Sequence, residues 1–459
     1  MFAIPGIVSL IVFLYVRPQE YFDSLQSVPF LYIFCAVAVF GFAVDLRLGL
    51  TRMRWSPQLG LVVVDLGWSL FTLAANDPRS LPAQLPLSFI TVFLCLIIAL
   101  GVQTFRGLQV LGTTLVVLAL FLAVVGVHQA HAPFGCIKLD ERNLTDLTTN
   151  VPDGRPCETR YDCERDSPEP GAEYSCERVG LFGTTSVANG RIRYRGILQD
   201  PNELALAISI GAPFALAAFE RRRSLPRLGL ALATFGLVLV CDIYTQSRSG
   251  QLVFAAVIGA YFVRRLGWRG LVAGFLVSAP VLLLGGRQGI DAESSSLERL
   301  ECWSAGLDMW RRSPIFGVGK GQFIEHHYLT AHNSFILALA ETGLFGAFIW
   351  TSLVYVTFKI PITALRRLRG QPDARFADVA AMTILATLCG LMVGSFFLSF
   401  SPHNIFWIYL GLAGALYSAL RTHDPTFRVR FGTRDALTVA AVVVCLIAAV
   451  FVYTRSQGV

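Results

Sequence analysis

Apolar runs of about 20 residues return along almost the whole of this 459-residue chain, and no other feature restricts its folding as strongly. A helix needs about 20 mostly apolar residues to cross ~30 Å of hydrocarbon, because a backbone in lipid must satisfy its own hydrogen bonds. About thirteen such runs fall near 2–16, 28–46, 57–76, 84–104, 107–127, 201–219, 228–246, 249–263, 270–285, 333–358, 379–400, 404–420 and 437–453. Composition agrees, with 54% of residues hydrophobic and 15% charged. The chain reads as an all-α polytopic membrane protein of about 12–13 transmembrane helices. The first run lacks a basic leader and a small-residue cleavage pattern and ends in Arg17-Pro18, so it reads as a helix rather than a signal peptide. A net charge of +7 would suit a nucleic acid, but the cations are dispersed between apolar runs, and no nucleic-acid partner is expected.

Charge asymmetry orients the spans. With the N-terminus inside, the cytoplasmic connections hold Arg47, Arg52, Arg54, Arg106, Arg221 to Arg223, Arg227, Arg264, Arg265, Arg269, Lys359, Arg366, Arg367, Arg369 and Arg375. The short outer connections hold only Arg17, Arg79 and Arg248, as the positive-inside rule requires. Five segments follow: helices 1–5 in 1–127, an outer loop over 128–200, helices 6–9 in 201–285, a second outer loop over 286–332, and helices 10–13 in 333–459. Cys136, Cys157, Cys163 and Cys176 all lie in the first outer loop, where an oxidising compartment permits two disulfides in one of three connectivities. Zinc is the rival reading, but no C-x-x-C pair occurs, and no metal is expected. That loop has few large apolar residues, so disulfides substitute for a core. Cys302 has no obvious partner.

Function is sought where polar groups survive near the bilayer, since each costs several kcal/mol there unless paired or hydrated. Four places stand out, each where a helix starts from the outer face. In "RIRYRGILQDPNELALAISI", Asp200 can cap a helix with Pro201 at its first position and Glu203 at its third, just after Arg191, Arg193 and Arg195. In "QSRSG", Ser247 or Ser249 can cap the next helix, with Arg248 in its first turn. His332 and Asn333 open the tenth span, and His403 and Asn404 open the twelfth. Helix N-termini carry partial positive charge and unpaired N–H groups, and arginine adds a fork that matches phosphate oxygens. Together they suit a phosphate or pyrophosphate at the outer boundary. Snorkelling to headgroups is the competing reading for Arg191 and Arg193.

The second outer loop contains "RLECWSAGLDMWRRSPIFGVGKGQF", in which Leu300, Trp303, Leu307 and Trp310 recur at helical spacing. This pattern describes an amphipathic helix lying along the interface, ended by a glycine-rich stretch. No strand precedes the glycines and no G-K-[ST] follows, so a nucleotide loop is not expected. Arg299 is a further candidate for an anionic group. His326 and His327 are adjacent and share no helix face, so they do not read as metal ligands.

The stretches "RGILQDPNELA", "SRSG", "RLECWSAGLDMWRRSPIFGVGKGQF" and "AHNSFILALAETGLFG", in this order, resemble the O-antigen ligase and O-antigen polymerase superfamily. The opening "VRPQEYFDSL" resembles a subgroup of it. These motifs span about 195–346, a third of the chain. The resemblance implies a GT-C-like, metal-independent glycosyltransferase of the bacterial inner membrane, without a cofactor, with its active site facing the periplasm. It implies a donor glycan carried on undecaprenyl pyrophosphate, an acceptor that is another glycan or lipid A core, and contact with membrane lipids, a flippase and a chain-length regulator. By the same resemblance Arg195 and Arg248 bind the pyrophosphate, joined here by Arg299, and His332 is catalytic. Arg191, Arg193, Asn333 and His403 are secondary candidates.

The implied chemistry is coherent with these residues. An acceptor hydroxyl attacks the anomeric carbon, His332 takes its proton, and the arginines stabilise the leaving pyrophosphate, with inversion by single displacement. Glu20 or Asp23 is the reserve base. No long outer loop follows the histidine motif, so polymerisation of O-antigen or exopolysaccharide repeats is read first and ligation to lipid A core or protein second. A lipid-linked sugar flippase is the alternative of another class, resting on Asp45, Asp65 and Asp242 inside or near spans.

Overall fold

The computed structural model describes residues 1–139, 152–165, 172–187, 190–270, 272, 274, 290–369, 371 and 374–458. In chain order the first helices are α1 (Ala3–Val16), α2 (Phe30–Arg47), α3 (Pro57–Asn76), α4 (Leu81–Gly101) and α5 (Phe105–His131). Strands β1 (Phe134–Lys138), β2 (Pro152–Pro156) and β3 (Tyr174–Arg178) follow, with α6 (Arg160–Arg165) between the last two. Then come α7 (Pro201–Gly211), α8 (Pro213–Arg221), α9 (Leu225–Thr245), α10 (Arg248–Leu266), α11 (Ile290–Arg312) and α12 (Phe323–His326). The last four are α13 (Ser334–Arg367), α14 (Arg375–Phe397), α15 (Asn404–His423) and α16 (Thr433–Ser456).

Among the described residues ten helices are long and apolar enough to cross a membrane, counting α7 and α8 as one span. They coincide with ten of the expected runs, and the chain is an all-α polytopic membrane protein. The first expected run is α1, only 14 residues and outside those ten. The eighth is α10, bounded by Arg248 and by Arg264 near its end, and it too falls outside them. The ninth, 270–285, lies mostly outside the described residues.

The chain divides into two compact units. One comprises Met1–Ile7, Ala36–Val110 and Gln288–Val459. Here α13 packs against α3, α11, α14, α15 and α16, and α4 lies along α15. Polar side chains tie helices whose apolar faces give no hydrophobic drive in lipid. Buried Gln58 donates to Thr357 Oγ1 at 3.0 Å and to the Leu410 carbonyl at 2.9 Å, and Ser418 donates to the Ala99 carbonyl at 2.8 Å. Asp45, fully buried, accepts from the Phe2 and Ala3 amides at 2.9 Å each and so caps the start of α1.

Helix α13 is not continuous. Gly343 has φ 68° and ψ −173°, a conformation restricted to glycine, and the break frees backbone groups inside an apolar bundle. The glycine-rich loop after α11 repairs it. Val318 and Gly319 donate their amides to the Ala340 and Glu341 carbonyls at 2.9 Å, and Leu344 N–H returns to the Pro314 carbonyl at 2.8 Å. Trp68 Nε1 donates to the Thr342 carbonyl at 2.9 Å. Lys320, from the same loop, pairs with buried Glu341 at 3.2 Å and lies within electrostatic reach of Asp65.

The expected interfacial helix is α11, and its apolar stripe is covered by protein. Leu300, Trp303 and Leu307 are buried with Phe323, Ile336, Leu337 and Ala340, and Trp310 is packed against them. Spacing alone could not distinguish a lipid partner from a protein one.

The other unit comprises Val8–Cys35 and Leu111–Arg287. Buried α7 packs on α9 and α10, and Pro213 divides it from α8 because proline cannot continue the hydrogen-bond ladder. This unit carries a three-stranded antiparallel sheet in the order β2-β1-β3, an element that sequence periodicity did not reveal. Cys136 and Cys176 lie opposite each other in the β1–β3 register, yet the disulfides join Cys136 to Cys163 and Cys157 to Cys176. The four sulfurs are thereby bonded in two pairs. Together with Tyr174 they form the small core of this segment.

Two outcomes are expected. Closing loops of 27 and 19 residues, each disulfide stabilises its segment by about 3 kcal/mol. Replacing Cys136 and Cys163 by serine should therefore make this segment the first target in limited proteolysis of the full-length protein. A Cβ at residue 343 would overlap the Ile315 carbonyl and force the wrong backbone region, so Gly343→Ala should cost at least about 1–3 kcal/mol, read as a lower thermal transition in detergent.

Candidate functional site

In the second unit the arginine motif and the serine motif meet. Asp200 caps α7, accepting from the Asn202 amide at 2.6 Å, and Ser247 caps α10, accepting from the Gly250 amide at 2.9 Å. The two helix starts are joined side by side: Ser247 Oγ donates to Asn202 Oδ1 at 2.7 Å, and Ser249 Oγ reaches the same oxygen at 3.4 Å. The chain before α7 is pinned there as well. Arg191 Nε donates to the Thr245 carbonyl at 3.0 Å, and the Ile192 amide to the Tyr244 carbonyl at 3.4 Å. Arg248, the first residue of α10, is exposed beside these caps.

Three arginines lie in this segment, and the structure uses them differently. Arg191 and Arg193 are buried, 7% and 2% exposed, which removes the snorkelling reading for both. Arg193 donates from Nε to the Thr185 carbonyl at 3.0 Å and pairs with Glu177 of β3 at 3.2 Å, tying the sheet to the loop. Burial pulls its guanidinium down from the ordinary arginine value, and Glu177 opposes that shift. Arg195 is half-buried. Its Nη1 donates to the Glu20 carbonyl at 2.5 Å and its Nη2 to the Gly183 carbonyl, so backbone oxygens orient it. Burial lowers Arg195 too, with the Glu20 carboxylate as the largest opposing influence.

The connection after α1 therefore belongs to this cluster. Glu20 closes the short 3-10 turn Pro18–Glu20 and pairs with Arg17 Nε at 2.6 Å. The Tyr194 hydroxyl donates to the Val16 carbonyl at 2.9 Å, which leaves it to accept from Tyr21 in the hydrogen bond between the two phenols. The Arg195 guanidinium lies 5.7 Å from the Tyr21 ring centroid. The sequence reading did not count Arg17, Tyr21 or Tyr194 among the site residues. The signal was the Arg-Pro at the end of the first apolar run. Asp23 starts the turn Asp23–Leu25, and its side chain lies outside the described residues.

In the first unit the two histidine motifs meet in the same manner. Asn333 caps α13, its Oδ1 accepting from the Phe335 amide at 2.9 Å and the Ile336 amide at 3.2 Å. Ser334 Oγ donates to the Leu398 carbonyl at 2.8 Å and accepts from the Phe400 and Ser401 amides at 2.8 and 3.2 Å, while Thr330 donates to Ser399 at 2.8 Å. His332, half-buried, is held between these ties. His403 stands at the N-cap of α15, stacked on Phe400 at 4.3 Å between centroids. Arg299 is half-buried on α11 in this unit. Cys302 lies 3.9 Å from His327 Nδ1, but burial pushes its thiol up to about 11, which suits a packing residue rather than a nucleophile.

Backbone conformation marks the same places. Among the described residues the non-glycine positions with left-handed φ are Arg17 (49°), Phe182 (57°), Gln246 (51°) and His332 (47°). Arg17 partners Glu20, Phe182 precedes the glycine that holds Arg195, Gln246 stands two residues before Arg248, and His332 is itself a candidate. Such conformations cost about 1–3 kcal/mol each and persist where surrounding contacts over-determine them.

Residues 231–351 match the family model described as O-antigen ligase. The match takes in Arg248, Arg299, His332 and Asn333. Over 275 residues the chain is 26% identical to the exopolysaccharide production protein ExoQ of Rhizobium meliloti (strain 1021), an alignment covering 49% of this chain. The chain spans 62% of the length of that curated relative. Both findings support the O-antigen ligase and polymerase superfamily. Arg195 and Glu20 lie outside the stretch that matches the O-antigen ligase model.

The phenol pair makes stability depend on alkaline pH. Burial pushes Tyr21 up to about 12 and raises Tyr194 as well, whereas an unfolded phenol titrates near pH 10. The folded chain keeps these protons while the unfolded chain gives them up, so the contribution is complete below pH 10 and is lost as pH rises toward 12. The thermal transition in detergent should fall across that window, and the Tyr21→Phe, Tyr194→Phe double variant should show a shallower fall.

Proposed function

We propose that this protein is a glycosyltransferase that works at the extracytoplasmic face of a bacterial inner membrane. It transfers a glycan from undecaprenyl pyrophosphate to a hydroxyl, and we place polymerisation of O-antigen or exopolysaccharide repeats first. One observation carries the reading: His332, inside the stretch that matches the O-antigen ligase family, is held in a left-handed conformation directly before the doubly capped start of α13. A side chain fixed this way can meet an acceptor hydroxyl in one orientation and take its proton. Arg248, exposed at the first turn of α10, and Arg195, oriented by two carbonyls, supply positive charge for the departing pyrophosphate. Arg299 is the third candidate cation. The mechanism needs no metal, and single displacement inverts the anomeric carbon.

ExoQ is named for exopolysaccharide production, which favours joining of repeats, while the family description favours ligation. Of the three aspartates behind the flippase alternative, Asp45 caps α1, Asp242 accepts from Ser209 Oγ at 2.8 Å and Asp65 lies within electrostatic reach of Lys320.

His332→Ala, Arg195→Ala and Arg248→Ala, each produced at wild-type level, should lower formation of surface polysaccharide on the order of a hundredfold or more. Single repeats left on the lipid carrier indicate a polymerase, and full-length unattached chains indicate a ligase. Unchanged polysaccharide in all three variants, or donor trapped in the cytoplasmic leaflet, overturns the enzyme reading.

A further inference from the structure

We propose that Arg17 and Arg195 form a two-guanidinium cradle for the phosphates of a polyprenyl pyrophosphate, and that Glu20 is a built-in placeholder displaced when the anion enters. This deepens the glycosyltransferase reading and rests on it. It gives Glu20 a role other than the reserve base and adds a cation, Arg17, that was not among the candidate site residues.

The geometry is specific. Arg17 is in the left-handed region (φ 49°, ψ 59°), an unfavourable place for a long side chain, and its Nε meets Glu20 Oε1 at 2.6 Å. The partner backbone is shaped around it: Gly196 has φ 59°, and a Cβ there would overlap Arg17 Cδ and Nη1. The residue next to Arg195 is thus bare where the Arg17 guanidinium passes. Arg195 is oriented by the Glu20 and Gly183 carbonyls, which hold it without neutralising it. These bonds engage two of its five N–H donors. Among the described residues, the Glu20 carboxylate thus serves two guanidinium groups, Arg17 as an ion pair and Arg195 through its field.

A carboxylate presents two oxygens to an arginine fork, and a phosphate presents the same edge with more charge. Pyrophosphate therefore fits where Glu20 now sits and balances both arginines. The pair is partly reachable from outside, mainly at Arg17: the side chains of Arg17 and Glu20 are 31% and 16% exposed. Tyr21 and Tyr194, neutral at physiological pH, close one wall of the cluster, and Tyr21 stacks near Phe182 at 5.4 Å. The turn lies between α1 and α2, both apolar, so a prenyl tail entering from lipid would bring its phosphates to this level.

The test measures binding directly, on the full-length protein in detergent, with farnesyl pyrophosphate as probe and inorganic pyrophosphate in parallel. Glu20→Gln keeps the size of the side chain and removes its charge, so both probes should bind roughly tenfold tighter. Arg17→Lys keeps a charge and loses the fork, so binding should weaken by roughly tenfold. A gain of affinity cannot come from misfolding, and size-exclusion and thermal profiles check Arg17→Lys. If the wild type binds and neither variant changes its affinity, the cradle is wrong while the enzyme reading stands. If Glu20→Gln abolishes turnover at unchanged affinity, Glu20 is the base and the placeholder is overturned. If the wild type binds neither probe, the cradle is overturned, whereas the donor reading falls only if the His332, Arg195 and Arg248 variants leave surface polysaccharide unchanged.

Discussion

A peptide group without a hydrogen bond in hydrocarbon costs several kcal/mol, and the rest of this structure depends on how that cost is avoided. Continuous helices do most of the work. Their ends and interruptions are where side chains or loops must complete the ladder. Asp45 does so for α1, Asp200 for α7, Ser247 for α10 and Asn333 for α13. At Gly343 a whole loop does it, donating two amides and accepting a third. Polar residues thus concentrate at helix starts for structural reasons first, and chemistry can use the same places.

That coincidence explains what could be read from the chain. The ten long spans were legible because a run of apolar residues has one stable form in lipid. The caps were legible because Asp, Ser and Asn before an apolar run act through the next three residues. The three-stranded sheet was not, since its strands are only five residues long and pair across intervals that no local periodicity marks. Nor was the fate of the stripe Leu300, Trp303 and Leu307, which looks alike whether lipid or α13 covers it. The pairing of "VRPQEYF" with "RYRG" is a contact between segments more than 170 residues apart, and no local pattern encodes it.

Motif order hides a simpler grouping. The arginine and serine motifs share one unit and are locked by Asn202 and Arg191, while the two histidine motifs share the other and are locked by Ser334. Each pair of helix starts is fastened by a hydroxyl or amide accepting and donating at once. Fastening of this kind limits side-chain freedom at the places where left-handed residues store strain. It also separates roles among similar arginines: a guanidinium paired inside the protein, as at Arg193, is structural, whereas one steered by carbonyls, as at Arg195, keeps its charge available.

The ion pair between Glu177 and Arg193 joins the cystine-bearing sheet to the segment that ends in Arg195. Glu177 follows Cys176 directly and lies opposite Gly135 in the β1–β3 ladder, so both the Cys157–Cys176 disulfide and the strand pairing hold the acid in place. Disulfide, strand ladder and ion pair thus make one unbroken line of contacts from the cystine core to the backbone that carries Arg195, so a disturbance at either end is felt at the other.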